Sequence, residues 1–228
     1  ALFETGSIAS GEYSTSVSVT ATDTAGNTYT TSAPLEVDTV ADPHLKTVTF
    51  DNDNVAEIKI LGDVDTYTVN TLDSGGSVAT PAATQSFDGS GNTRFSFTTS
   101  IPDGTHLVLT GNDTAGNSGS TLLVLEDNAK VATTTGNSGL SQFDVEALDL
   151  GYSTDVDLTL TEADIKALSS NSDTLTIHGG DSDNDKVTIT GATDTGTNQT
   201  IDGDVYSVYT IGSDGVTLVI EDDINVVI

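Results

Sequence analysis

The phrase Ala21-Thr22-Asp23-Thr24-Ala25-Gly26-Asn27 returns almost unchanged as Gly111-Asn112-Asp113-Thr114-Ala115-Gly116-Asn117. Each copy follows an alternating, β-rich run, Val17-Ser18-Val19-Thr20 or Leu107-Val108-Leu109-Thr110, so Asp-Thr-Ala-Gly-Asn predicts a turn between two strands. The copies lie about 90 residues apart, the length of one small sandwich domain. Two or three small β-modules are therefore expected in the 228 residues.

Charge narrows the function. With 35 acidic and 6 basic side chains the formal net charge is −29, and a compact state this acidic repels itself unless counter-ions, specific or diffuse, offset it. Duplex nucleic acid needs clustered Lys and Arg against phosphate, which Arg94 and a few scattered lysines do not supply, and acidic phospholipid is excluded for the same reason. Regular apolar alternation, six Tyr, six Phe and many β-branched residues argue that most of the chain folds. Cysteine is absent, so metal ions are the obvious substitute for disulfide staples in modules with modest cores. No apolar run is long enough to cross a bilayer, and direct membrane insertion is not expected. The start at Ala1, without a basic-then-apolar leader, reads as a piece from the interior of something longer.

The expected fold class is all-β: tandem immunoglobulin-like or Greek-key β-sandwich modules, with a C-terminal module that is mostly β and has one short helix. Residues 1–38 read as the C-terminal part of a sandwich module, split or truncated, because two strands and a turn are only half a sandwich and a lone hairpin is marginal in water. Residues 39–126 read as an immunoglobulin-like sandwich with strands at 46–50, 56–61, 66–70, 93–98, 106–111 and 120–125. Residues 73–90 read as a polar, Gly-containing connection. Residues 127–228 read as a linker and then a calcium-binding, mostly-β module. Its helix lies at 161–168 with Thr161 as N-cap and acids in the first turn. Its strands lie at 174–178, 186–190, 205–209 and 216–220, the last two as an antiparallel hairpin.

Calcium is a hard cation that takes roughly six to eight oxygens from carboxylates, Asn side chains and carbonyls, and turns rich in Asp and Asn supply such ligands without a large core. Several ions are expected. The candidate ligands are Asp23 and Asn27 with their repeat Asp113 and Asn117, Asp38 and Asp42 in the following linker, and Asp51 and Asp53 in the run Asp51-Asn52-Asp53-Asn54. Asp63 and Asp65 flank another turn, and Asp222 and Asp223 adjoin the last long strand. For Asp23 and Asn27 an Asx turn without metal is the alternative, and for the others solvated surface charge. Asp181-Ser182-Asp183-Asn184-Asp185 matches the 1, 3, 5 spacing of an EF-hand loop. The sixth position is Lys186 in place of Gly and the twelfth is Ala192 in place of Glu, which leaves a β-hairpin calcium loop through Asp181, Asp183 and Asp185. Weak sites of roughly 10⁻⁴ to 10⁻³ M would be empty in a cytoplasm, so calcium use implies export.

Catalysis finds little support. His44, His106 and His178 are scattered along the chain, no Cys exists, and no Ser lies in a Gly-x-Ser-x-Gly context. The chain is not expected to be an enzyme.

The pattern resembles the giant repeats-in-toxin (RTX) adhesins that Gram-negative bacteria export by type I secretion. Residues 11–42 and 104–126 are similar to their bacterial immunoglobulin-like extender modules, through Ala21 to Asn27 and then Val37-Asp38-Thr39. Residues 143–228 resemble the module near the C-terminal calcium repeats, through Leu158-Thr159-Leu160-Thr161, Asp173-Thr174-Leu175-Thr176-Ile177, Ile201-Asp202-Gly203 and Tyr206-Ser207-Val208-Tyr209-Thr210. The nonapeptide repeat itself is absent, and Gly179-Gly180-Asp181 is only a fragment of one. The resemblance implies a calcium-dependent, monomeric part of an extracellular adhesin on the bacterial cell surface. Its partners would be adjacent modules of the same adhesin. It would act as a rigid extender or scaffold, or alternatively as a module that binds a peptide or glycan on a target cell with calcium near the site.

Overall fold

The computed structural model describes residues 12–38, 41, 43–61, 66–73, 75–102, 104–125, 139–180, 184–201 and 203–228, with backbone only for 12–15 and 35–38. Among the described residues the fold is all-β, with one short α-helix and a 3₁₀ turn at Leu140–Gln142. Strands β1 (Glu12–Thr22) and β2 (Thr28–Asp38) form a separate two-stranded antiparallel sheet closed by the first copy of the repeated turn. Their alternation gives one face with Val17 and Val19 and another with Ser18, Thr20, Thr30 and Ser32. On the second face the hydroxyls pair across the strands, Ser18 with Ser32 at 2.7 Å and Thr20 with Thr30 at 2.8 Å.

The sandwich follows. Strands β3 (Leu45–Asp51), β4 (Asn54–Ile60), β7 (Ala83–Phe87) and β8 (Thr93–Ile101) form a four-stranded antiparallel sheet in the order β3-β4-β8-β7. It faces one end of a nine-stranded sheet, where β6 (Val78–Ala79), β5 (Thr66–Leu72), β9 (His106–Asn112) and β10 (Ser118–Leu123) lie side by side. Ile58, Ile60, Phe95 and Phe97 from the first sheet pack on Tyr67, Val69, Leu107, Leu109 and Leu123 from the second. The alternation that sends these residues inward is the one read from the sequence. The segment 73–90 differs from its reading as a plain connection: it contributes β6 and β7, and β7 pairs with β8 from Ala83↔Phe97 to Phe87↔Thr93. Every described side chain of β7 is exposed, so this edge strand carries little apolar signal.

The nine-stranded sheet continues past the sandwich. β10 pairs in parallel with β11 (Val145–Asp149), β11 with β13 (Thr174–His178), and β13 with β17 (Val216–Glu221). A second parallel sheet of β12 (Asp157–Leu160), β14 (Lys186–Ile189) and β18 (Asn225–Val227) lies across from these. Each coil therefore gives one strand to each sheet, and three coils stack as a parallel roll around Leu148, Leu158, Leu175, Ile177, Val187, Ile189, Leu218 and Ile220. The helix α1 (Glu162–Leu168) spans the gap after β12. Thr161 and Asp164 form its capping box, and Ile165 and Leu168 are buried in the same core. Between β14 and β17 the chain inserts β15 (Ala192–Ile201) and β16 (Asp204–Ile211), and β16 pairs with β17 antiparallel from Tyr206↔Glu221 to Ile211↔Val216. Leu72, Val108, Leu122 and Val124 belong to the roll's core, so β9 and β10 are covered on both faces. The sheet and the core run on across the boundary read at residues 126 and 127.

The roll corners are tight. A Cβ on Gly151 would meet the Gly179 carbonyl oxygen at 2.6 Å, and one on Gly179 would meet Asp223 Oδ1 at 2.6 Å. Gly151 thus lets successive coils stack at backbone contact distance, and Gly179 leaves room for the side chains of Asp223 and Ile224.

Candidate functional site

The repeated turn is built on its aspartate. Asp23 Oδ1 accepts the N–H groups of Ala25 and Asn27, both at 2.9 Å, and Oδ2 accepts the Asn27 amide at 2.8 Å. Asp113 does the same with the N–H groups of Gly116 and Asn117 and the Asn117 amide. Two further turns share the design. Asp88 accepts from the N–H groups of Ser90 and Asn92 and from the Asn92 amide, and Asp73 accepts from those of Gly75 and Ser77. All four carboxyls lie below their ordinary range. The Asn27 amide dominates at Asp23, the Ser77 N–H at Asp73 and the Asn92 amide at Asp88; at Asp113 desolvation acts upward and the Asn117 amide with backbone donors outweighs it. The geometry is an Asx turn, and it accounts for both Asp and Asn in the repeated phrase.

The remaining candidates are dispersed. Asp51-Asn52-Asp53-Asn54 is the β3–β4 hairpin turn, with Asn52 and Asp53 at φ of 48° and 67° and Asp51 paired to Asn54; Asp51 and Asp53 are exposed. Asp38 ends β2, and only its backbone is described. Asp42, Asp63, Asp65, Asp181 and Asp183 lie outside the described residues. The strands on either side, β13 and β14, belong to different sheets and do not pair with each other, so the hairpin expected there is not formed. Asp185 is 2 % exposed: its Oδ1 takes the Val156 N–H at 2.8 Å and its carbonyl the Asn225 N–H, which ties three coils together. Asp222 and Asp223 are exposed at the next corner. Among the described residues no three His, Cys, Asp or Glu side chains converge in a way that could hold a metal ion.

A different group of residues does converge. β11, β13, β17 and β16 are adjacent, and their registers place Asp149, His178, Glu221 and Tyr206 in one row across four strands. Leu148, Ile177 and Ile220, one residue earlier on the parallel strands, point into the roll, so the row points outward. Leu123 of β10 continues the row under the sandwich. One sheet face is thus apolar beneath the four-stranded sheet and polar where it emerges past it. There it forms an open cleft of about 520 Å³, with His44, Leu45, Lys46 and Leu61 on the sandwich side and Asp149, Tyr152, His178, Asp204, Tyr206 and Glu221 on the roll side.

The polar row is cross-linked. His178 Nδ1 lies 2.7 Å from the Tyr206 hydroxyl, which lies 3.3 Å from Glu221 Oε2, and that oxygen also accepts the Gly179 N–H at 2.8 Å. The His44 and His178 rings stand edge to face with centroids 5.2 Å apart, so residues scattered in sequence meet across the junction. Asp149 is 8 % exposed, and its Oδ1 accepts the Gly151 N–H at 3.0 Å. Burial pushes its carboxyl up to about 7; Glu221 adds to the shift while the Gly151 N–H and His44 oppose it. Burial likewise raises Glu221, helped by Asp223 and Asp204, and raises Tyr206, helped by Glu221. Tyr152 is pushed up to about 12 by burial and by Asp149. Among the described residues of the cleft, three carboxyl groups face one ammonium, that of the exposed Lys46.

Sequence reasoning missed this cleft. Its one available signal is that Asp149, His178 and Glu221 each follow an aliphatic strand residue at a strand end, which aligns them only once the strands are known to stack in parallel. Neither models of known protein families nor curated proteins give a match to this chain.

Proposed function

We propose that this chain is a rigid scaffold segment of a bacterial surface adhesin of the repeats-in-toxin type, extracellular and without catalytic activity, in which an immunoglobulin-like sandwich is joined to a roll. The observation that supports it most is the sheet continuity: β10 serves both units, and Leu72, Val108, Leu122 and Val124 of the sandwich belong to the core of the roll. A joint of this kind resists bending, as an extender requires, whereas domains on a plain linker move independently by default.

Residues 12–38 fit the same role as the closing hairpin of another sandwich. Their register, Thr22↔Thr28 and Val19↔Thr31, matches Asn112↔Ser118 and Leu109↔Thr121 in β9–β10. Val17 and Val19 therefore take the places of Leu107 and Leu109, which pack beneath a four-stranded sheet. Val17 and Val19 are 43 % and 46 % exposed and suit the same cover, supplied by an adjacent module.

Calcium enters as the stabilising counter-ion of a chain with net charge −29. The corner beside β12 and β14 suits it best, because stacking brings Asp155, Asn184 and Asp185 together, with Asn184 Nδ2 donating to Asp155 Oδ1 at 3.2 Å. An ion that binds the native state alone adds about 2.7 kcal/mol at a hundredfold excess over its Kd. Thermal unfolding in millimolar calcium is expected at a clearly higher midpoint than in chelator. Superimposable curves would remove calcium from the proposal. The ligand-binding alternative is favoured by the polar cleft, whose chemistry is developed next.

A further inference from the structure

We infer that the junction cleft is a binding site for an organic cation, the ammonium or guanidinium group of a basic side chain presented by a peptide. The cleft is of the size that takes small ligands, roughly 300 to 1,000 Å³, and it holds about 520 Å³. Its polar groups converge because one row of a sheet, Asp149, His178, Glu221 and Tyr206, leaves the shelter of the sandwich at one point.

The acceptors outnumber the donors that reach them. Asp149 is more than nine-tenths buried; the Gly151 N–H occupies Oδ1, and no donor among the described residues meets Oδ2. Glu221 Oε2 takes the Gly179 N–H and lies beside the Tyr206 hydroxyl, which leaves Oε1 without a described donor. Asp204 adds a third carboxylate at the exposed rim. Asp149 is buried and Glu221 half-buried, and a ligand bringing several N–H groups and a positive charge supplies donors to both at once. Tyr152 and Tyr206 contribute aromatic rings to the same walls, the surface that organic cations favour over hydrated metal ions. A divalent metal is the weaker fit, because among the described residues no three His, Cys, Asp or Glu side chains share a point.

The test uses the full 228-residue chain with its histidines labelled for NMR. Nα-acetyl-arginine amide, Nα-acetyl-lysine amide and the uncharged Nα-acetyl-citrulline amide are titrated in turn, with calcium chloride alone as a fourth series. The arginine and lysine compounds are expected to shift the His44 and His178 resonances saturably. His106, buried in the sandwich against the Leu125 N–H, serves as the unmoved control. Citrulline is expected to bind at least roughly tenfold more weakly, the loss that goes with replacing a charge-assisted hydrogen bond. Glu221→Gln and Asp149→Asn each keep the acceptor for the neighbouring glycine N–H and are expected to weaken the basic compounds by a similar factor. The parent should also bind more tightly at pH 8 than at pH 6, because Asp149 ionises near 7 among His44, His178, Lys46, Asp204, Tyr152, Tyr206 and Glu221. Absence of saturation, equal shifts with citrulline, equal movement of His106, or shifts produced by calcium alone would each overturn the proposal. The wild-type series decides the matter even where a variant fails to fold.

Discussion

At the scale of single residues, the acidic side chains divide into two kinds with opposite electrostatics. The turn carboxylates Asp23, Asp73, Asp88 and Asp113 are solvated and held ionised by several N–H donors, so they support the fold above the ordinary carboxyl range and lose that support as pH falls through their lowered values. Asp149 is the reverse. In an unfolded chain it ionises near 3.9, but in the fold it keeps its proton to about 7. The native state binds the extra proton between these limits, so its contribution is complete below about pH 4 and is lost as pH rises through about 7. Asp149→Asn removes that loss while keeping an acceptor for Gly151, and the variant is expected to be more stable than the parent at pH 8 and close to it near pH 4. Thermal midpoints across that range check this, and parallel curves for the two proteins would contradict it. Gly151 tests the packing of the coils: with the Gly179 carbonyl oxygen only 2.6 Å from an added Cβ, Gly151→Ala is expected to cost about 1 to 3 kcal/mol in denaturant unfolding. A neutral substitution there would mean the corner yields more readily than its contacts imply.

At the scale of elements, alternation makes most sandwich strands legible and the turns give the hairpins β1–β2, β9–β10 and β16–β17, while the parallel partners are not legible. The runs at 46–50, 106–111, 174–178 and 216–220 became β3, β9, β13 and β17 within a residue or two, because their inward positions are large aliphatics and their neighbours polar. The helix was readable for a local reason, a Thr161 cap with Asp164 three residues on. β15 escaped because it is a Thr-rich strand with eight consecutive exposed residues and no apolar period to read. Parallel stacking escaped because nothing within β11 or β13 names its partner: the pairing is set by coils that only meet after folding. For the same reason Asp149, His178 and Glu221 were invisible as a site, while the repeated Asp and Asn were conspicuous for a structural turn. The β1–β2 hairpin carries the clearest expectation at this scale. Val19→Asp alters a side chain that is 46 % exposed, so it should leave unfolding of the rest of the chain within about 0.5 kcal/mol of the parent. A larger loss, read by denaturant unfolding, would mean that this face is covered within the same molecule.

At the scale of the whole molecule, two folding patterns share one sheet. The sandwich is antiparallel and the roll parallel, and β10 is the strand where one becomes the other, pairing antiparallel with β9 and parallel with β11. Burial on both faces of β9 and β10 makes truncation there costly: Leu122→Ala should cost about 2 to 5 kcal/mol and weaken both units together. Stiffness at this joint is also what holds His44 against His178 and keeps the cleft in shape. Backbone ¹⁵N relaxation of the full chain tests that stiffness most directly. Amides of the sandwich, residues 43–125, and of the roll, residues 139–228, are expected to fit one rotational diffusion tensor; two tensors with separate orientations and correlation times would contradict a rigid scaffold.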